Sequence, residues 1–279
     1  MESLTECLTE TLKAFDISSY AISGNIVGYT LILLLFCIEY FIFYSFVKKI
    51  NPEMTEKQKA YIISIKNALV MFLIGLYYNN YYFISKLNEE SFFNILEEKD
   101  SINLGKVIVL YFTAYLIMDV LIGRQEYHKY MNTLSGYFHH TVYIIINIVS
   151  LYIGVYPLYL LHMLSELPTF LLGIGSFDPD FRNDDLFGAT FFLTRIAYHL
   201  FLTYIFRQHT LLFYISLAAL GLHCFWFSQW IKKYFTVKDE PNKNDSKNNK
   251  KLKNKKKSSK NEHANKVLKK NKIRIKKDE

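Results

Sequence analysis

Histidine, glutamate and arginine are costly at membrane depth, and this chain sets them inside runs that are otherwise apolar. His139 and His140 stand at the head of one run, and His162, Ser165 and Glu166 fall in the next, just before Pro168. A later run carries Arg195, His199 and Thr203 at four-residue spacing, and an earlier one carries Tyr115 and Asp119. Ionisable groups inside membrane segments usually mark a lined cavity, a proton path or a binding site. Adjacent helical residues lie about 100° apart, so His139 and His140 address different directions, whereas His140, Tyr143 and Asn147 share a face. His162, Ser165 and Glu166 share another. Each charged group costs about 2.5–3.5 kcal/mol at the centre of a span unless paired or hydrated. The cheapest arrangement therefore brings His139, His140, Glu166 and Arg195 together in one interior cavity.

Blander readings stand beside this one. The histidine pair also fits a membrane interface, where imidazole is cheap. Arg195 also fits a structural ion pair with Glu166 or Asp119, or a snorkelling position. Lys66, about five residues into its run, reads as snorkelling, and Glu39 reads as a single buried, hydrogen-bonded acid. Neither HExxH nor HxH occurs, so no metal site and no cofactor is expected. Cys7, Cys37 and Cys224 form no close pair and no CxxC spacing, which points away from a disulfide framework.

The elements that must carry these residues follow from length and hydropathy. A helix needs about 20 mostly apolar residues to cross a bilayer. Seven stretches qualify: 26–47, 61–84, 104–123, 138–156, 157–175, 186–206 and 210–230. The fourth and fifth are contiguous, and Gly154 with Pro157 supplies the turn and helix start that divide them. The runs are too long for strands and lack alternation. Tyr77, Tyr78, Tyr81, Tyr82 and Phe83, and Trp226 with Trp230, sit near span ends as interfacial anchors do. The first 25 residues are polar and carry Glu2, Glu6, Glu10 and Asp16, the wrong charge for a signal-peptide n-region.

Charge is very unevenly placed. Residues 238–279 hold 17 of the 33 basic residues and 6 of the 25 acidic ones, while residues 1–237 carry a net charge of −3. The basic character belongs to the tail. It is Lys-, Asn- and Ser-rich, with too little apolar surface to offset ordering entropy, and reads as disordered. Such a tail contacts anionic lipid headgroups at about 1 kcal/mol per near-surface Lys. With few aromatics and no folded motif, it indicates no specific nucleic-acid partner. Lys48, Lys49, Lys57, Lys59, Arg124, Lys129, Arg182 and the tail fall on one side of a seven-span topology, which makes that side cytosolic and the N-terminus lumenal or exterior. Lys276-Lys277-Asp278-Glu279 resembles a dilysine retrieval signal for the endoplasmic reticulum, an address read by a receptor.

Across roughly 60–230 the chain resembles the TLC domain family, which includes ceramide synthases and several lipid-homeostasis proteins. The resemblance rests on AYLIMD with Asp119, GYFHHTVYIIIN with the histidine pair, LLHMLSELPTFLLGI, and LFGATFFLTRI with Arg195, in that order. It implies an all-α membrane protein whose TLC domain (60–233) forms six helices in a barrel around a polar, lipid-accessible cavity. The polar segment 1–25, the first helix and loop (26–59) and the tail (234–279) flank it. The polar residues of the apolar runs expected to line that cavity or bind lipid are Asp119, Asn147, His162, Ser165, Arg195 and His199. Ceramide synthases carry two aspartates three residues apart after the histidine pair; here those positions are Met163 and Glu166. That departure favours the non-synthase members and a protein that binds lipid and influences membrane lipid composition without catalysis. The enzyme alternative is acyl transfer from acyl-CoA to a sphingolipid precursor, with His139 or His140 as general base or acyl acceptor and Glu166 orienting it. A transporter or cargo receptor using the cavity is a third reading.

Overall fold

The computed structural model describes residues 26–85, 99–208 and 210–239. The acidic N-terminal segment, the Lys-rich tail beyond 239 and its Lys276-Lys277 signal lie outside the described residues.

Among the described residues, seven helical segments are long and apolar enough to cross a membrane: Ile26–Ile50, Glu56–Asn80, Leu104–Glu126, Gly136–Ile153, Tyr156–Phe177, Asp184–Ile205 and Thr210–Thr236. No strand occurs among the described residues. Helices suit this environment because each closes its own backbone hydrogen bonds where water is absent. Their outer surfaces fit it too. On the first span Leu31, Leu34, Leu35, Ile38, Phe41 and Ile42 are all exposed. An apolar face of that extent belongs against lipid.

The third span lies at the centre, with 67% of its apolar window buried against 6% for the first. The first span packs on the third, the second on the fifth, and the third on the fourth. An i, i+4 row of aromatic residues makes the first contact. Phe36 meets Tyr111 edge-on at 5.2 Å between ring centroids, Tyr40 meets Tyr111 at 5.0 Å, and Tyr44 meets Tyr127 at 6.5 Å. Lys48 adds an ion pair to Glu126 at 2.6 Å near the ends of both spans. Glu39 is exposed and pairs with Lys66, whose ammonium also lies 4.3 Å from the centroid of the Tyr40 ring. The expectation of a lone buried acid at Glu39 is therefore wrong: the Lys66 stem is long enough to bring its charge to the acid.

The fourth and fifth spans divide where expected. Gly154 takes the left-handed conformation (φ 78°) that a side chain disfavours, and Pro157 opens the helix Tyr156–Leu161. Among the irregular segments, three bear on the polar residues singled out above. Thr133–Phe138 is a π-type turn leading into the histidine pair, His162–Glu166 is a 3-10 turn inside the fifth span, and Phe192–Ala197 is a π-type turn inside the sixth.

The chain divides into two compact units at Phe227/Ser228. Of the second, the described part is the C-terminal portion of the last helix, where Trp230 stacks on Tyr234 at 4.9 Å.

Candidate functional site

A cavity of about 300 Å³ lies among the third to seventh spans. Its wall is mainly apolar, with Ile145, Val149, Ile153, Leu158, Leu212 and Ile215 among the lining residues. Of these, Ile145, Val149 and Ile215 also have exposed surface, so part of the wall opens toward the outside of the bundle.

Part of the polar lining, His162, Ser165, Glu166 and Arg195, is built on the irregular turns. Arg195, from the π-type turn of the sixth span, donates Nε–H to the Ser165 carbonyl at 2.8 Å and Nη2–H to Thr169 Oγ1 at 2.7 Å. Its Nη2 lies 3.8 Å from Glu166 Oε1, and both side chains are largely buried. Close approach of the second span fixes this region. A Cβ on Gly75 would stand 2.6 Å from Leu164 N and 2.8 Å from Met163 C, so only glycine lets the 3-10 turn carrying Ser165 and Glu166 seat there.

Four histidines line the cavity: His139, His162, His199 and His223. The rings of His162 and His199 meet edge-on at 4.7 Å, and those of His199 and His223 at 5.1 Å. His199 Nε2 is 3.1 Å from Ser216 Oγ, which is 2.7 Å from Thr203 Oγ1. The His139 ring is tilted against Tyr143 at 4.4 Å and meets Trp226 edge-on at 5.3 Å, and its buried Nδ1 has no hydrogen-bond partner. Trp226, expected as an interfacial anchor, thus packs on the cavity histidines. Met163 also lines the cavity.

Of the residues singled out in the sequence, His139, His162, Ser165, Glu166, Arg195 and His199 meet around this cavity, and His140, Asp119 and Asn147 are not among its lining residues. The convergence expected of four groups holds for three. His140 turns to the third span, with Nδ1 3.4 Å from Asp119 Oδ2 and its ring 5.9 Å from that of Tyr115. Asp119 also accepts a hydrogen bond from Tyr127 at 2.7 Å, so it is not the partner of Arg195. Just past the third span, burial and the neighbouring Asp119 carboxylate push the Tyr127 phenol well above its ordinary range, which keeps it a donor. Asn147 donates to Thr113 Oγ1 at 3.0 Å. His139 and His140 lie about 100° apart on the helix, and the fourth span is turned so that His139 lines the cavity while His140 and Asn147, two turns on, meet the third span.

Ser216 and His223 were missed. The signal was present, because both interrupt the apolar seventh run and stand seven residues apart, two helical turns on one face. Among the described residues no three His, Cys, Asp or Glu side chains cluster closely enough to hold a metal ion. Comparison with family models, with curated proteins and with solved structures finds no match to this chain.

Proposed function

We infer that this multi-pass membrane protein binds a lipid in the cavity and thereby influences membrane lipid composition, as a TLC-type protein of the endoplasmic reticulum. The single observation that carries the reading is the cavity itself. About 300 Å³ of space is at the low end of the roughly 300–1,000 Å³ of small-molecule sites. It joins an apolar wall, partly open between the fourth and seventh spans, to a polar cluster formed by Arg195, Glu166 and the histidines. A lipid matches both ends: its headgroup meets the polar cluster, and its chain leaves through the apolar opening. Orientation with a lumenal N-terminus and a cytosolic tail that touches anionic headgroups completes the proposal.

The test is mass spectrometry of lipid carried through purification. Ala219 lines the cavity, and Ala219→Trp should fill it. Wild type should retain a lipid at near-stoichiometric level and the variant should lose it. Equal lipid content in both would sink the reading.

The acyltransferase reading keeps one supporting observation. His139 stands in the cavity with its Nδ1 unpartnered, beside a guanidinium able to stabilise an oxyanion. The second acid of the synthase pattern is replaced by Met163, which can neither ionise nor orient an imidazole. We expect no ceramide from sphingoid base and acyl-CoA with purified protein. Turnover abolished by His139→Ala or His140→Ala would promote the enzyme reading.

A further inference from the structure

Hydrogen-bond direction around His223 is fixed by its neighbours. His223 Nδ1 lies 3.2 Å from the Arg195 carbonyl oxygen, which can only accept, so Nδ1 carries the hydrogen. The same Nδ1 lies 3.1 Å from His199 Nδ1, which must then be the acceptor. His199 therefore carries its hydrogen on Nε2 and donates it to Ser216 Oγ at 3.1 Å. Ser216 donates to Thr203 Oγ1 at 2.7 Å, and Thr203 ends the relay by donating to the His199 carbonyl at 2.9 Å. Every member is satisfied in one direction only. The consequence falls on the other ring nitrogen of His223: Nε2 is a bare acceptor, and it has no hydrogen-bond partner among the described residues.

His162 repeats the pattern more loosely, with Nδ1 3.4 Å from the Leu158 carbonyl. Both residues line the cavity. Their neutral rings therefore ask a ligand for a donor. The one cation, Arg195, is already engaged by Ser165, Thr169 and the facing Glu166. A phosphate or carboxylate entering here would compete with Glu166 for it.

We propose that His223 Nε2 is the headgroup acceptor of the cavity, and that the ligand is a neutral, hydroxyl-bearing amphiphile whose O–H donates to it. This rests on the lipid-binding reading and deepens it, because it selects among headgroups. His223 is a binding residue; the Arg195 carbonyl sets its tautomer, and His199, Ser216 and Thr203 are positioning residues that hold the ring in place.

Dodecanol, dodecyl methyl ether and dodecanoate share one chain and differ only in whether the head donates, merely accepts or is charged. Their binding to the full chain, compared at equal concentration by native mass spectrometry, reads the preference directly. Wild type should favour dodecanol over the ether by roughly three- to tenfold, the worth of one net hydrogen bond. His223→Phe should bring that ratio to about one. Should that variant fail to fold, His223→Met, close in size and without a strong acceptor, serves in its place and should likewise bring the ratio to about one. Equal binding of alcohol and ether by wild type overturns the proposal and leaves the lipid-binding reading standing. So does tighter binding of dodecanoate, or a preference that survives the substitutions. Binding of neither the alcohol nor the ether overturns both.

Discussion

Gly75→Ala is the sharpest test of how the site is held. The added Cβ would sit 2.6 Å from Leu164 N and 2.8 Å from Met163 C. Ordinary contact begins near 3.4 Å, so the second span and the 3-10 turn of the fifth must part by about 0.8 Å. Both obstructing atoms are backbone, and no rotamer change relieves them. Overpacking of this kind costs about 1–3 kcal/mol, or about a fivefold to hundredfold loss in the folding equilibrium. The displaced turn carries Ser165, which accepts from Arg195, and Glu166, which faces it. Stability and cavity occupancy should therefore fall together. Gly221 is the matched control, because a Cβ there meets nothing within 4 Å. In the seventh span it should be neutral or stabilising by up to about 1 kcal/mol, the usual difference between alanine and glycine inside a helix. Reversible unfolding in mixed micelles, followed by circular dichroism, measures both. A Gly75→Ala protein as stable as wild type would refute the seating of the two segments, and so would a Gly221→Ala protein equally destabilised.

Three further outcomes follow from the same contacts and from the charge pattern. Tyr127→Phe, which removes the bond to Asp119 Oδ1, should cost about 1–3 kcal/mol because it leaves a buried acceptor unsatisfied; a double-mutant cycle with Asp119→Asn should show a coupling above about 0.5 kcal/mol, and simple additivity would deny the pair. In sealed microsomes a membrane-impermeant maleimide should reach Cys7 only after permeabilisation, and Asn244, in the only N-x-S/T sequon of the chain, should carry no glycan; a glycan there would invert the topology. Lys276→Ser with Lys277→Ser should release the protein from the endoplasmic reticulum, and unchanged localisation by microscopy would show that another signal retains it.

Hydropathy and length located the spans because burying backbone in lipid demands long helices, and that demand is written locally. Boundaries were less legible. The first span runs on to Ile50 and the seventh to Thr236, past the expected 47 and 230. Lys48 and Lys49 do not stop a helix, and nothing between 230 and 236 breaks one. The residue types of the site were legible as well, since a histidine in an apolar run stands out wherever it lies. Their pairing was not. Which of His139 and His140 faces the cavity depends on how the fourth span is rotated about its axis, a property of the packed bundle. Glu39 misled for a related reason: a lone acid in an apolar run looks buried until the Lys66 on the neighbouring span is placed beside it.

The irregular turns explain how an apolar bundle can hold this much polarity. In regular α-helix each carbonyl is occupied by the amide four residues on, and a side chain must compete for it. A 3-10 or π-type turn changes that pairing and leaves carbonyls less fully engaged. The site uses two of them. The Ser165 carbonyl, within the 3-10 turn His162–Glu166, accepts from Arg195 Nε. The Arg195 carbonyl, within the π-type turn Phe192–Ala197, accepts from His223 Nδ1. Local helix distortion thus provides the acceptors that orient the guanidinium and fix the histidine tautomer. The third irregular turn, Thr133–Phe138, ends immediately before His139. A π-type turn absorbs extra residues within one helical repeat, so it also sets the rotation at which the fourth span begins. That rotation is what sends His139 to the cavity and His140 to Asp119. Regularising any of the three turns would leave the composition of every span unchanged while pointing the same side chains elsewhere, which is why periodicity alone could name the residues of the site but not assemble them.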